Sequence, residues 1–515
     1  MKNKSIFILM LVIGMLYFLL FAIPNSMGIQ DEHMLSLLSQ DESIQYPYLM
    51  HMLTQGSSLL ETFKNFIAYQ HYFYGYPFYL YSALILLPLR VVYGSQFSSM
   101  IGINLLLLRQ LVSILPMLLA TGILTYLHTR FESRWKSVLL FAFLLTIPAV
   151  LGNNLWFWHP DGMAVLGVAL TLFFLDRDNF TFGHNFLFAA LTCGFTAATK
   201  VIGFFFFLTI FLYLILAVVQ KKVSLPKFFK YAGLFLLVFL LVFIFLNPLL
   251  LFAQSRTQIL KVQSQQNYFV THGWQDEDIY ITGLTAWLPY LQQWYAYPML
   301  LLLFLLCMLL AIWQNKQRLA NLLTLTWLIP YSCYLIFFVA IKPNHYWLPV
   351  LLPLFACALS LVPPDFFTDR DSLHSDYLLS KFIFPLVLLS LIGFQLGRNL
   401  HYDTTLFTRY LEKERLLLAC NSTPDNEDVG QATPLQPDRW YRLETFDERT
   451  SPPSRAFSVV SGTLTISAYE EYGENAWACS SQAQAAFSAE RLARLYKESH
   501  PDNQVIGPDG QEITR

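Results

Sequence analysis

Two acidic positions stand where chemistry could happen at the edge of an apolar segment. Asp31 and Glu32 follow the first apolar run in Gly28-Ile-Gln-Asp-Glu-His33, and Asp161 opens a later one in Trp156-Phe-Trp-His-Pro-Asp-Gly162. A carboxylate held there can take the proton of an attacking hydroxyl. An ionisable group at a membrane helix end is costly to desolvate, which makes function its default reading. The ordinary readings are a solvated loop acid for Asp31-Glu32 and, for Asp161, an acid favoured by the helix dipole, worth ~0.3–1 kcal/mol. Three cations complement the acids: Lys200 in Ala-Ala-Thr-Lys-Val-Ile-Gly203, Lys342 in Lys-Pro-Asn-His-Tyr-Trp347, and Arg109 in Leu-Leu-Arg-Gln-Leu-Val-Ser113. Such cations can hold a phosphate by charge-assisted hydrogen bonds; the plainer reading of Lys200 is a side chain snorkelling from a helix end. His159, His272, His345 and Tyr346 lie in the same kinds of segment and are further candidate site residues. His272 belongs to a run with Asp276, Glu277 and Asp278 whose spacing is not that of a metal site, so an acidic solvated loop is its commoner meaning.

The elements that must carry these residues are membrane helices. The 515 residues are 55% apolar and 13% charged, against about 25% charged in soluble proteins. The charges are unevenly placed: 18 acids and 11 bases fall after position 398, leaving 16 acids and 22 bases for the first 398 residues. The net charge of −1 and the lack of a dense basic stripe argue against a nucleic-acid partner. A helix needs about 20 apolar residues to cross a bilayer. Candidate runs are 5–23, 78–94, 103–127, 137–153, 162–176, 185–200, 201–219, 231–252, 294–313, 320–341, 345–362 and 382–398. The first is read as a retained helix, since no Ala-x-Ala-like cleavage site follows it. The expectation is an all-α polytopic membrane domain over 1–398, with about 11 to 13 spans, followed by a small polar α+β domain over 399–515.

Lys and Arg in short loops set the orientation. Lys2 and Lys4, the loop Arg130-Arg134-Lys136, the loop Lys221-Lys222-Lys227-Lys230 and the pair Lys316-Arg318 should be cytoplasmic. Segments 24–77, 153–161, the turn at Lys200, 253–290 and 342–346 then face outwards, together with the C-terminal domain. Nine of the 16 acids before position 399 fall in those outer segments. A parity conflict arises between the first helix and the loop at 128–136. The two runs between them (78–94 and 103–127) are one too many or one too few, so either 78–94 does not cross fully or a further crossing is hidden. Trp156 and Trp158 read as interfacial anchors, and His71-Tyr-Phe-Tyr-Gly-Tyr-Pro77 as an aromatic belt at headgroup level.

In their order along the chain these motifs resemble the GT-C membrane glycosyltransferases, in particular the branch of the protein O-mannosyltransferases and the lipid A aminoarabinose transferases. The elements are an Asp-Glu pair after the first helix, an aromatic-Pro end to the outer loop, Arg-Gln-Leu-Val-Ser, Pro-Asp, Thr-Lys-x-x-Gly and a late Lys-x-x-x-Tyr-x-x-Pro. The resemblance covers roughly residues 5–362. It implies transfer of a sugar from a polyprenyl-phosphate donor to an acceptor hydroxyl of a protein, lipid or glycan on the outer face of a bilayer, in a bacterial inner membrane, with inversion. Asp31 would be the catalytic base, with Glu32 beside it and Asp161 as a second acid. Lys200, Lys342 and Arg109 would bind the donor phosphate. Asp41-Glu42 repeats the acidic pair, and 31–32 is preferred as closer to the membrane. His345 and Tyr346 stand where relatives often show Arg and Tyr, a departure that bears on Lys342. The resemblance implies no certain cofactor and no metal ligands, though it leaves room for a divalent ion.

Two other classes fit the composition: a transporter or flippase for a lipid-linked glycan, and a non-catalytic subunit of a glycan-assembly complex. Inverted repeats or mid-membrane charges would mark a transporter, and neither is seen in the sequence. Of the cysteines, Cys193, Cys307, Cys333 and Cys357 lie in apolar runs, while Cys420 and Cys479 fall in the outer domain and are a disulfide candidate in an oxidising compartment.

Overall fold

The computed structural model describes residues 2–27, 29, 35, 39–273, 280–362 and 383–418, with four short segments beyond (424–428, 440–442, 465–468 and 477–479). Asp31, Glu32, Asp276, Glu277, Asp278 and Cys420 lie outside the described residues, as does nearly all of the expected α+β domain; Cys479 falls in a short segment whose side chains are not described.

The described chain is helical throughout its apolar part. Six helices are long and apolar enough to cross a membrane: Lys4–Asn25, Tyr76–Tyr93, Ile101–Thr129, Val201–Val219, Leu225–Phe245 and Arg318–Phe338. Two bent pairs bring the number to eight if each is one span. Arg134–Leu145 and Pro148–Asn154 meet at 62°, and Leu284–Trp294 and Pro298–Trp313 at 93°. Proline explains both breaks. The residue before a proline is driven out of the helical region, and Ile147 (ψ 129°) and Tyr297 (ψ 139°) are both extended. Several runs read as spans from the sequence do not meet the same standard. Run 162–176 lies in the helix Asp161–Asp178, whose ends carry Asp161, Asp176, Arg177 and Asp178, and run 185–200 lies in the 16-residue helix His184–Thr199. Run 382–398 is the start of the continuous helix Phe384–Leu418.

On the outermost helices the large apolar side chains face out: Phe7, Leu11, Met15, Leu19 and Ile23 on the first, Phe229, Leu237, Leu241 and Phe245 on Leu225–Phe245. In water such surfaces would collapse on one another. Against lipid tails they cost nothing, while the helix satisfies its own backbone. The core lies inside, where Met117, Leu124, Val165, Leu172, Phe186, Tyr213, Trp327 and Phe355 belong to one buried cluster.

Polar contacts sort the bundle into two ends. Arg134 Nη2 donates to Ser5 Oγ at 3.2 Å, so the loop at 130–136 shares an end with the N-terminus. At the other end Asn25 Nδ2 donates to the Asn154 carbonyl (2.9 Å) and Arg109 Nη1 to the Asn25 carbonyl (3.1 Å). The first helix and residues 134–154 therefore run side by side in the same direction, while the stretch from Arg109 to Thr129 returns from one end to the other. Between Asn25 and Arg130 the described residues thus hold one stretch that runs the length of the first helix, Arg109 to Thr129, while Tyr76–Tyr93 is a candidate span by length and composition.

Candidate functional site

At the end away from the basic loops, five chain segments converge on Asp161. The carboxylate begins the helix Asp161–Asp178, where the exposed backbone N–H groups favour a negative charge. Gly162 lets it approach. A Cβ there would come within 2.5 Å of the Ser113 carbonyl, so the helix start lies flush on the turn Arg109–Ile114. That turn is a π-helix, which widens the ladder. Ser113 Oγ donates to the Phe157 carbonyl (2.6 Å) and accepts from the His159 N–H (3.2 Å), which pins the loop 155–160. The same loop is held from the first helix: Trp156 N–H donates to Asn25 Oδ1 (2.7 Å), and its indole N–H donates to the Pro24 carbonyl. Trp156 takes a left-handed backbone (φ 49°), a conformation that costs roughly 1–2 kcal/mol for such a residue and that these contacts maintain.

Lys200 reaches Asp161 from the end of His184–Thr199. Its backbone is extended (φ −150°), and Gly203 closes so tightly on Ala197 that a Cβ would sit 2.3 Å from its backbone nitrogen. The Lys200 ammonium donates to Asp161 Oδ1 at 2.6 Å and lies 5.1 Å from the Tyr346 ring centre. His159 Nδ1 abuts Asp161 Oδ2, and His345 Nε2 stands 3.8 Å from the same oxygen. Both His345 and Tyr346 come from the short turn Asn344–Trp347. The fifth segment is 69–75. The Gly75 N–H donates to the Thr199 carbonyl (3.1 Å), and a Cβ at Gly75 would collide with the Ala198 carbonyl oxygen at 1.6 Å. Glycine is thus required there, and it brings the Tyr74 hydroxyl to His159 Nε2 at 2.6 Å.

Asp161 is 1% exposed and His159 2%. The Lys200 ammonium faces the buried Asp161 carboxylate from one side, and the imidazoles of His159 and His345 face it from the other. The rings are ordered: Phe157 stacks on His159 at 4.4 Å, Tyr74 meets it edge-on at 4.7 Å, and the two imidazoles lie 4.9 Å apart. Three donor atoms, from His159, Asp161 and His345, lie within 4.8 Å of one another and are a metal-competent set.

The structure thus brings together Asp161, Lys200, His159, His345 and Tyr346 from the sequence candidates. The others are placed differently. The Lys342 ammonium donates to the carbonyls of Ile281 (2.8 Å), Val339 (3.1 Å) and Ala340 (2.5 Å) and lies 4.6 Å from the Trp287 ring centre. It serves the end of Arg318–Phe338, where a cation complements the helix dipole, and burial lowers it to about 8. Arg109 is buried and holds the end of the first helix through Asn25. His272 is exposed and stacks on Tyr268 of its own helix at 4.4 Å. Tyr74, Phe157 and Ser113 were not singled out from the sequence. The expected interfacial anchors are buried instead: Trp158 stacks on Phe78 (5.0 Å) and donates to Ser82 Oγ (3.0 Å). The expected aromatic belt is a packed knot, in which His71 Nδ1 and the Tyr79 hydroxyl share a hydrogen bond at 2.5 Å and Tyr69 packs on Tyr76. Burial lowers His71 to about 4, so it is neutral near pH 7.

No protein-family model and no curated protein matches this chain. It is a helical protein with six to eight candidate membrane spans.

Proposed function

We propose that the chain is an integral-membrane glycosyltransferase that moves a sugar from a polyprenyl-phosphate donor to an acceptor hydroxyl at the end of the bundle carrying Asp161. One observation carries the reading. A buried carboxylate is met by Lys200, His159 and His345, at the end of an apolar bundle away from the loop that bonds the N-terminus. In this reading the Lys200 ammonium meets the phosphate that leaves the anomeric carbon, and a fixed cation of that kind stabilises the developing charge. Asp161 is a positioning residue: already paired to Lys200, it aims the ammonium and orders His159. The acceptor oxygen attacks the anomeric carbon, the bond from that carbon to the phosphate oxygen breaks, and the hydroxyl proton passes to Asp31. Inversion follows from in-line attack, and a general base within hydrogen-bond reach contributes typically about 10²–10⁴-fold. Glu32 accompanies Asp31. Lys342, bonded to the carbonyls at the end of Arg318–Phe338, and Arg109, bonded to the end of the first helix, are the further phosphate-binding candidates of the reading.

The wider expectations belong to the same proposal: about 11 to 13 spans once the shorter end-to-end helices such as Asp161–Asp178 and His184–Thr199 are included, basic loops in the cytoplasm, the Asp161 end outside, and a bacterial inner membrane. The test pairs activity with topology. Purified protein incubated with polyprenyl-phosphate sugars should release polyprenyl phosphate, and Asp31→Asn should lose nearly all of that activity. Undiminished turnover in Asp31→Asn removes the base assignment. Cysteine labelling that puts positions 31 and 161 on the cytoplasmic side removes the site.

A further inference from the structure

We propose that His159 Nδ1, Asp161 Oδ2 and His345 Nε2 form a binding site for one divalent transition-metal ion of the zinc class. The three atoms lie within 4.8 Å of one another; His159 and Asp161 are two residues apart, and His345 is brought to them from a separate turn. His159 Nδ1 and Asp161 Oδ2 are buried and in direct contact with each other. Buried polar atoms are nearly always paired, so an ion bound here replaces that contact, with the two groups parting to take it between them.

The surroundings are those of a ligand shell. The second nitrogen of His159 is engaged by the Tyr74 hydroxyl at 2.6 Å, and the second oxygen of Asp161 by the Lys200 ammonium at 2.6 Å. Such outer contacts fix which atom of a ligand turns toward the metal. With Tyr74 on Nε2, His159 directs Nδ1 at Asp161. Ring stacking by Phe157 at 4.4 Å holds the imidazole plane. His345 is the third ligand, the one that reaches water, with a side chain 15% exposed where the other two are closed. Two imidazoles and one carboxylate suit zinc, cobalt or manganese better than calcium or magnesium, which prefer all-oxygen shells. Three protein ligands also leave a coordination position open, as catalytic zinc sites do. The competing account is a buried His–Asp pair sharing a proton, with His345 merely nearby.

The inference goes beyond the proposed transfer and does not rest on it, because metal uptake is read with no sugar donor present. The full-length protein, purified in detergent and stripped with a chelator, is titrated with Co²⁺ and followed by its visible absorption, with Zn²⁺ as competitor and elemental analysis for stoichiometry. One equivalent per chain is expected, displaced by Zn²⁺, and His345→Ala should weaken binding at least tenfold. Electron spin-echo modulation of Cu²⁺ bound to the wild-type protein should show imidazole nitrogen, a readout that needs no variant. Absence of an ion at one equivalent, bound copper without imidazole nitrogen, or equal affinity in wild type and a folded His345→Ala overturns the site. A chain that binds the ion but transfers no sugar refutes only the proposed function.

Discussion

The two ends of the bundle use charge in opposite ways. At the end shared with Ser5 the ionic contacts are separate: Arg130 pairs with Asp176 at 2.5 Å with the guanidinium partly exposed, Lys136 donates to the Val362 carbonyl at 2.6 Å, and Arg318 to Asn315 Oδ1 at 3.0 Å. These contacts finish helix ends. At the other end a single carboxylate is shared by Lys200, His159 and His345, none of them its sequence neighbour on the same helix face. Distributed pairs tolerate the loss of a member because water or a carbonyl can take over. A shared, buried carboxylate cannot be replaced so easily, since its removal strands several groups at once. The lesson is that concentration of partners, rather than the number of charges, separates a site from a scaffold.

Breaking each end in turn should expose that difference. Asp161→Asn leaves the Lys200 ammonium without its counter-charge and is expected to cost about 3–5 kcal/mol, whereas Asp176→Asn should cost less, because its partner Arg130 reaches water. Thermal unfolding of the two variants in one detergent compares them directly, and equal shifts would erase the distinction. Gly75→Ala comes next. Its new Cβ meets the Ala198 carbonyl, so the loop bearing Tyr74 must lift from the helix end, at roughly 1–3 kcal/mol for a clash of that kind. Gly233→Ala, which meets nothing within 4 Å, is the control and should be neutral or slightly stabilising. The smallest effect concerns His71. Its pKa is about 4 in the folded chain against 6.5 ordinarily, so the unfolded chain takes up the proton first. Stability therefore falls as the pH drops through 6.5 and levels off below about 4. Between pH 7.5 and 6 the loss is less than about 1 kcal/mol, and the slope should vanish in His71→Gln.

Much of the membrane part was legible because apolar runs and basic loops are local signals. Asp161, Lys200, His159, His345 and Tyr346 could all be nominated from short motifs at apolar edges, and they do meet. The number of long spans was less legible. Runs 162–176 and 185–200 look like lipid-facing helices in hydropathy, yet their residues, such as Val165, Val168, Ala190 and Cys193, are buried within the bundle. The role of Tyr74 was hidden because an aromatic-Gly-Tyr-Pro segment reads equally as a headgroup belt. What decides is Gly75 docking on Ala198, a contact 123 positions away in the chain. Trp158 misleads for the same reason, since tryptophan suits both an interface and a buried stack with a polar partner. Lys342 shows the converse: a cation beside a motif can be occupied by backbone carbonyls, which only the tertiary structure reveals.

The central claim is that the Asp161 end performs glycosyl transfer from a lipid phosphate. The most direct measurement is the rate at which the protein, in nanodiscs, releases polyprenyl phosphate from polyprenyl-phosphate sugars in the presence of a hydroxyl acceptor, compared among wild type, Lys200→Met and Asp176→Asn. The account predicts turnover by wild type and Asp176→Asn, and a loss of at least about 10²-fold in Lys200→Met, the scale of removing one charge-stabilising group. Release by Lys200→Met at the wild-type rate, or none by the wild type with any such donor, would contradict it.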